Sequence, residues 1–385
     1  MSAAGSVKST ESEVKLPEVK VDGLGLPLWL LLELTYKCPL KCSWCNNPLD
    51  FDRYQDELTT EAWVDVLRQG RRLGALQLGF SGGEPVQRRD LEELVGEASR
   101  IGYYTNLITS GVGLTKDRLA ALRQAGLKQI QLSLQACDAE LNKRLVGVDV
   151  YQQKLACARA IKEQGFPMVL NVPVSRYNIE QAPALLAFAE ELGIEYVEFA
   201  NLQYYNWALI NRAELMPTRE QIAEAEAVVA ETRARLGQRM TIYFVISDYY
   251  DTRPKACMKG WGNIHLTIAP DGAALPCQEA RVIKGLEFPN VRDHDLGWIW
   301  HNSPVFQKFR GESWMKEPCR SCAERERDYG GCRCQAFLLT GDASDTDPVC
   351  DRSPHHHLVE EAVAAAMAER PHSRLVMRQR GLNLA

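Results

Sequence analysis

The feature that most constrains the fold of this chain is an alternation of apolar and amphipathic stretches between residues 28 and 236. The apolar stretches have the length and composition of strands, and they span residues 28–34, 76–80, 104–109, 129–134, 168–174 and 196–202. Helical patterns lie between and after them, at residues 60–73, 89–101, 116–125, 152–164, 181–192 and 218–236. Six successive βα units predict a parallel sheet covered by helices, which right-handed crossovers curl into a full or partial barrel.

Composition excludes several classes of function. The chain has 385 residues, 45% of them hydrophobic, which is enough to bury a large core in two or three domains. Its net charge is -5 and its basic and acidic residues are interspersed, so we expect no nucleic-acid partner. No apolar stretch approaches the roughly 18 residues of a membrane span, and the polar start is unlike a secretory signal. We therefore expect a cytoplasmic protein without a membrane partner.

The 12 cysteines indicate metal or redox chemistry, because a long chain without an export signal does not need a disulfide framework. Ten of them cluster near residue 40 or beyond residue 256. The other two, Cys137 and Cys157, stand alone and are predicted to be buried free thiols.

Three cysteines, Cys38, Cys42 and Cys45, follow the first predicted strand with CxxxCxxC spacing. The chemistry of such barrels lies at the C-terminal ends of the strands, so this triad lies where an active site is expected. Thiolates hold iron–sulfur clusters, and three of them leave one iron of a [4Fe-4S] cube open to a substrate or cosubstrate. The alternatives are a zinc knuckle or buried small residues.

The sequence Ser-Gly-Gly-Glu-Pro at 81–85 follows the second predicted strand. Together with the triad, it resembles the signature of the radical S-adenosylmethionine (SAM) enzymes. That resemblance implies a [4Fe-4S] cluster that chelates SAM through its amino and carboxylate groups. Gly82 and Gly83 would allow close backbone approach, whereas Glu84 would either bond the SAM ammonium or orient the loop. Further candidate contacts, each equally consistent with an ordinary strand-end polar residue, are Ser110, Ser133, Gln135, Arg144 and Asn171.

A second set of cysteines begins with C-x14-G-x4-C and continues with C-x2-C-x5-D-x3-C-x-C and a final Cys. This layout resembles the SPASM extension of radical SAM enzymes, with Asp328 at a position where that family has Cys and with Cys334 as an extra thiol. Seven cysteines and Asp328 make the eight ligands that two auxiliary iron–sulfur clusters need, and [4Fe-4S] and [2Fe-2S] forms both stay open. The resemblance implies one cluster on Cys257, Cys277, Cys332 and Cys334 and another on Cys319, Cys322, Asp328 and Cys350. Two structural zinc ions are the alternative.

Within SPASM enzymes, the chain resembles the pyrroloquinoline quinone (PQQ) biosynthesis family in YKCPLKCSWCNNP, FSGGEP, ITSG, QLSLQA, ANLQYYNWA and Asp328. This resemblance implies an oxidoreductase that crosslinks a Glu carbon to a Tyr ring in the precursor peptide PqqA, after a 5'-deoxyadenosyl radical has removed a hydrogen from the Glu. The implied partners are PqqA, the peptide chaperone PqqD and an electron donor such as flavodoxin. The alternatives are a thioether-forming or formylglycine-generating SPASM enzyme and a zinc-stapled binding scaffold without catalysis.

The expected fold is therefore α/β, a partial (β/α)6 TIM-like barrel of the radical SAM type followed by a loop-rich, Cys-rich SPASM domain. The predicted domains are a disordered lead-in at 1–24, the barrel at 25–236, a linker with one strand at 237–256, the SPASM domain at 257–355 and a tail with a short helix at 356–385. A hairpin is predicted in the SPASM domain, turned at 270–272. Tyr204, Tyr205 and Trp207 would either line a peptide groove or pack in the core, and His355, His356 and His357 are predicted to form a solvated run.

Overall fold

The computed structural model describes residues 25–368 and 373–381. The predicted lead-in at 1–24 lies outside the described residues. Residues 369–372 and 382–385 of the predicted tail also lie outside them. No helix within the described ranges is long and apolar enough to cross a membrane.

One mixed sheet organises the described chain. Its strands run in the order β7-β6-β5-β4-β3-β2-β1-β8-β9, and every neighbouring pair is parallel except β8 and β9. The strands are β1 (Trp29–Glu33), β2 (Gln77–Ser81), β3 (Tyr104–Thr109), β4 (Gln129–Ser133), β5 (Met168–Val174), β6 (Tyr196–Asn201), β7 (Thr241–Phe244), β8 (His265–Ile268) and β9 (Ala274–Leu275). The sheet is open between β7 and β9, which confirms the predicted partial barrel.

Helices follow the strands of the barrel and continue beyond it. They are α1 (Thr60–Arg72), α2 (Leu91–Arg100), α3 (Lys116–Gln124), α4 (Ala139–Val146), α5 (Tyr151–Glu163), α6 (Ala182–Glu191), α7 (Asn206–Ile210), α8 (Arg212–Leu215), α9 (Arg219–Leu236), α10 (Leu296–Asn302), α11 (Pro304–Gln307), α12 (Arg325–Asp328), α13 (Arg333–Thr340) and α14 (His357–Met367). Side-chain caps set several of the starts: Thr59 caps α1, Thr115 caps α3, and Thr218 forms a capping box with Gln221 at α9.

The main core lies between the sheet and its helices. Leu30 and Leu32 of β1 and Phe80 of β2 are fully buried and belong to one cluster with Trp63 and Leu67 of α1. The opposite face of the strands is more polar, with Ser81, Gln131, Ser133, Asn171 and Glu198 lining cavities. This division of the strands leaves a polar interior in which a ligand can bind.

The predicted strands and the hairpin are confirmed, with bounds that agree within two residues. The sheet itself is larger than expected. The strand predicted inside the linker is β7, which extends the sheet beside β6, and the first strand of the hairpin, β8, pairs with β1. The region 257–355 also contains the two-turn helices α10 and α13, which the cysteine-rich sequence obscured.

Candidate active site

The triad lies in the loop that follows β1, at the C-terminal edge of the sheet. We call residues 35–47 the Cys loop. Backbone hydrogen bonds join it to the loop after β2: Gly83 N donates to Thr35 O (2.6 Å) and Glu84 N donates to Lys37 O (2.8 Å). Because β1 and β2 end side by side in parallel register, with Glu33 opposite Ser81, these two loops meet at one edge of the sheet.

All three cysteines of the triad are partly buried. Burial raises the pKa of Cys42, raises that of Cys45 to about 12 and raises that of Cys38 further. Thiols in such a place ionise only when a cation balances the thiolate charge, and iron provides that cation. Among the described residues, the cavity lined by these three thiols has no fourth cysteine in its lining, so the triad fits a [4Fe-4S] cluster with one open iron.

Gly82 and Gly83 allow the two loops to approach closely. Gly82 has a φ of +132°, and a Cβ at Gly83 would lie 2.5 Å from Lys37 O and 2.7 Å from Tyr36 O. A side chain at Gly83 would therefore collide with the backbone of the Cys loop, whether or not a cosubstrate is bound.

Glu84 orients the loop after β2. Its carboxylate accepts hydrogen bonds from Thr109 Oγ1 (2.7 Å), Val86 N (3.2 Å), Ser110 N (2.8 Å) and Ser110 Oγ (2.5 Å). The side chain is fully buried, and it is absent from the lining of the nearby cavity. Of the two roles predicted for Glu84, the structure favours loop orientation.

A cavity of about 340 Å³ opens above the triad, and we call it the triad cavity. Six of the eight predicted SAM contacts line it: Gly82, Gly83, Ser110, Ser133, Gln135 and Asn171. Arg144 does not, because its exposed side chain lies over the ring of Tyr177, 4.1 Å from the centroid.

Lys154 is a residue of the site that sequence reasoning missed. It is fully buried, and its Nζ donates to Ser133 O and to Gln135 Oε1, both at 2.7 Å. Burial lowers its pKa to about 8. The lysine fixes two polar groups of the triad cavity. The sequence does contain a signal for it: Lys154 lies on the same face of α5 as the buried residues Cys157, Ala158 and Ile161, where a charged residue is unusual.

A larger cavity, of about 620 Å³, lies beside the triad cavity and shares lining residues with it, among them Gln131, Asn171 and Gln278. We call it the central cavity. It extends to Cys257, Cys277 and Cys332, and Tyr204 and Tyr205 form part of its wall. The two cavities therefore adjoin: one contains the triad in its lining, and the other contains three cysteines of the second set.

Four cysteines of the second set lie in one neighbourhood, and we call Cys257, Cys277, Cys332 and Cys334 the four-thiol ring. The thiols of Cys257 and Cys334 lower the pKa of both Cys277 and Cys332, against the effect of burial. The ring brings together the four residues that the SPASM resemblance assigned to one cluster, and their convergence fits a group held by four thiolates.

The other four proposed ligands are Cys319, Cys322, Asp328 and Cys350. Burial raises the pKa of Cys319, and the charges of Asp328 and Cys350 raise it further, which places all three in one neighbourhood. Arg352 Nη1 donates to Cys322 Sγ (3.2 Å), and Asp328 Oδ1 accepts from Gly330 N (2.8 Å). The assignment of these four residues to a second auxiliary cluster stays a prediction.

The remaining predicted residues divide between the core and the cavity. Tyr204 and Tyr205 line the central cavity, whereas Trp207 is fully buried and packs on Phe51 with 6.0 Å between the ring centroids. Cys157 is a buried free thiol, but Cys137 is only partly buried. Within the histidine run, His356 Nδ1 lies 2.9 Å from Pro348 O, and His357 begins α14.

Residues 32–189 match the family model of the radical SAM superfamily, and residues 257–323 match the model of the iron–sulfur cluster-binding SPASM domain. The chain contains a radical SAM domain followed by a SPASM domain. These matches confirm the predicted cofactor classes, namely SAM with a [4Fe-4S] cluster for the radical SAM domain and additional iron–sulfur clusters for the SPASM domain.

Several solved structures share the fold. Streptococcus suis SuiB bound to S-adenosylmethionine is 22% identical, with a TM-score of 0.69 over 85% of this chain and 77% of SuiB. SuiB bound to its precursor peptide SuiA gives a TM-score of 0.68 at 21% identity, over 85% and 76% of the two chains. The protein anSMEcpe with bound AdoMet and a Cp18Cys peptide gives 0.60 at 16% identity, over 88% and 96%.

Proposed function

We propose that this radical SAM/SPASM chain acts as PqqE does, forming a carbon–carbon crosslink between a Glu and a Tyr side chain of the precursor peptide PqqA in PQQ biosynthesis. The observation that carries the proposal is that the cavity lined by the triad adjoins the cavity lined by cysteines of the four-thiol ring. An oxidative crosslink needs hydrogen abstraction at one place and removal of an electron at another. A peptide that spans the two cavities would have access to both.

The triad cavity would hold the cosubstrate. Cys38, Cys42 and Cys45 would bind the [4Fe-4S] cluster, and SAM bound to it would supply the hydrogen abstraction. Ser110, Ser133 and Gln135 line the cavity there, and Lys154 keeps Gln135 in place through its 2.7 Å hydrogen bond. Glu84 holds Ser110 through its backbone N and its hydroxyl, so this wall is rigid before SAM arrives.

The central cavity offers polar groups to the peptide. Asn171 Nδ2 donates to Glu198 in its wall (3.2 Å). Glu279 is 4% exposed, and its Oε2 accepts from Asn206 Nδ2 (3.3 Å), while its Oε1 has no partner among the described residues. Burial raises the pKa of Glu279 well above its ordinary value, which favours the protonated carboxyl, the form that can donate a hydrogen bond.

Crosslinking removes two hydrogens from PqqA. One leaves as an atom, and the other leaves as a proton and an electron after the Glu carbon has joined the Tyr ring. The four-thiol ring reaches the wall of the central cavity, so the electron has a short path to a cluster held there. An electron donor such as flavodoxin would supply the electron that begins each turnover.

Two observations on proteins of this fold support a peptide substrate. SuiB has been solved with its precursor peptide SuiA, and anSMEcpe with a Cp18Cys peptide. A short peptide loses conformational entropy when it binds, and a presenting partner reduces that cost, which is the role we assign to PqqD.

Anaerobic incubation of the reconstituted protein with SAM, a reductant, PqqA and PqqD tests the proposal. We expect the peptide to lose two hydrogens, and fragment-ion mass spectra to locate the new bond between Glu and Tyr. The variant in which Cys38, Cys42 and Cys45 are all replaced by Ala is the control, and it should give no product.

The alternatives predict different products or none. A bond to a cysteine sulfur would identify a thioether-forming enzyme, and oxidation of a Cys or Ser to an aldehyde would identify a formylglycine-generating one. A colourless protein without visible absorption would point to a zinc-stapled scaffold and would overturn the proposal.

A further inference from the structure

Residues 373–381 return to the barrel and lie against the Cys loop. Ser373 Oγ donates to Glu214 Oε1 (3.0 Å), and Val376 exchanges two hydrogen bonds of 2.8 Å with the side-chain amide of Asn211. Arg378 N donates to Lys41 O (3.3 Å). This segment lies outside both the radical SAM and the SPASM matches, which end at residues 189 and 323.

Asn211 connects the segment to the cysteines. Its Nδ2 donates to Ser43 O (2.7 Å) as well as to Val376 O (2.8 Å), and Ser43 lies between Cys42 and Cys45. Arg378 adds a further bond, from Nη2 to Tyr36 O. Segment 373–381 therefore holds the backbone of the Cys loop at Tyr36, Lys41 and, through Asn211, Ser43.

The side chain of Arg378 is a buried cation. It is 6% exposed, its guanidinium lies over the ring of Phe51 at 3.8 Å, and its Nε has no partner among the described residues. No carboxylate within 25–368 or 373–381 forms an ion pair with it. A buried charge without a counterion is costly, so a negative group is expected nearby.

Arg378 lines the triad cavity. Cys38, Cys42 and Cys45 line the same cavity. A cluster held by three thiolates would carry a net negative charge, which would increase by one when the cluster is reduced. A cation in the wall of that cavity would stabilise the more negative state, because buried charges are screened weakly.

We infer that Arg378 is a positioning residue of the catalytic cluster: it balances the charge of the triad-held cluster and raises its reduction potential. The inference rests on the iron–sulfur assignment of the triad and not on the identity of the peptide. It can therefore fail while the PqqA proposal stands, and the reverse also holds.

The test compares Arg378→Gln, Arg378→Lys and Arg380→Gln in the full chain, reconstituted anaerobically and without peptide. Arg380 is the matched control because it lies in the same segment with an exposed side chain. The measurement is a redox titration followed by paramagnetic resonance, on the signal that changes when SAM is added. We expect a lower midpoint potential in Arg378→Gln and near wild-type potentials in the other two variants.

Three results would overturn the inference. The first is a wild-type potential in Arg378→Gln with its iron intact. The second is a weaker SAM affinity in that variant without a change of potential, which would assign the guanidinium to the SAM carboxylate. The third arises if Arg378→Gln loses its iron and Arg378→Lys loses it equally, which would mean that only the packing of the arginine matters. If Arg378→Lys instead keeps a cluster with near wild-type potential, the inference is supported.

Discussion

The hydroxyl of Tyr205 lies 2.9 Å from the sulfur of Cys332. Tyr205 follows β6 of the barrel, whereas Cys332 caps α13 and belongs to the four-thiol ring. Because Tyr205 and Cys332 both line the central cavity, the tyrosine hydroxyl and the sulfur of a proposed cluster ligand lie together in its wall.

Tyr205→Phe should lower the reduction potential of the cluster on the four-thiol ring. A hydrogen bond to a ligand sulfur stabilises the reduced cluster, and its loss favours the oxidised one. Tyr204→Phe is the control, since Tyr204 packs edge-on against Tyr249 with 5.2 Å between the centroids. Potentials from redox titration of both variants check this, and equal potentials in Tyr205→Phe and wild type would contradict it.

Gly83→Ala should reduce the iron content of the catalytic cluster as well as the affinity for SAM. The new Cβ would lie 2.5 Å from Lys37 O, so the Cys loop would have to move. Gly96→Ala is the control, because a Cβ at that helical position has no heavy atom within 4 Å. Iron analysis and SAM titration provide the comparison. Full iron content with weaker SAM binding would show that the glycine serves only the cosubstrate.

Asp328→Cys should retain iron and change the potential of the second auxiliary cluster, since a soft thiolate replaces a hard carboxylate. Asp328→Ala should leave an iron open to an added ligand. Both variants should still cleave SAM, because the triad is held by a different part of the chain, and crosslinking should suffer. Identical paramagnetic resonance spectra of the reduced wild type and both variants would exclude Asp328 as a ligand.

Glu33 should make stability depend on pH. Burial raises its pKa to about 7, and its carboxyl accepts from Tyr36 Oη and Gln278 Nε2, each at 3.0 Å. Between about pH 4.5 and 7, Glu33 is protonated in the folded state and ionised in the unfolded state. The free energy of unfolding therefore falls as the pH rises through that window.

Between about pH 5.5 and 7, the free energy of unfolding of the wild type should fall by about 2 kcal/mol more than that of Glu33→Gln, which cannot ionise at this position. Denaturant unfolding of the two holoproteins at both pH values measures the difference. If the two proteins change stability in parallel, Glu33 is not the titrating group.

The six βα units could be predicted from the sequence because each strand is a short apolar run between amphipathic helical patterns. The cysteines and SGGEP could be assigned to the same edge because parallel strands end together. Pairing of β8 with β1 could not be foreseen, since the two strands are far apart along the chain and no local pattern specifies a partner. Arg378 was equally hidden, because its burial depends on where a short irregular segment lies.

Glu84 illustrates a limit of motif reading. Its place in SGGEP allowed either a ligand contact or a structural role, and spacing alone could not choose between them. Four hydrogen-bond donors surround its carboxylate in the structure, and only their positions in space favour loop orientation.

The pairing of β1 with both β2 and β8 has a consequence for biosynthesis. On the ribosome, β1 is made about 230 residues before β8, counted from Glu33 to His265. One edge of β1 stays unpaired during that time, and an unpaired edge invites pairing with other chains. The nascent barrel should therefore need protection until its last strands emerge, so its yield in a cell should depend on how quickly translation passes residue 268.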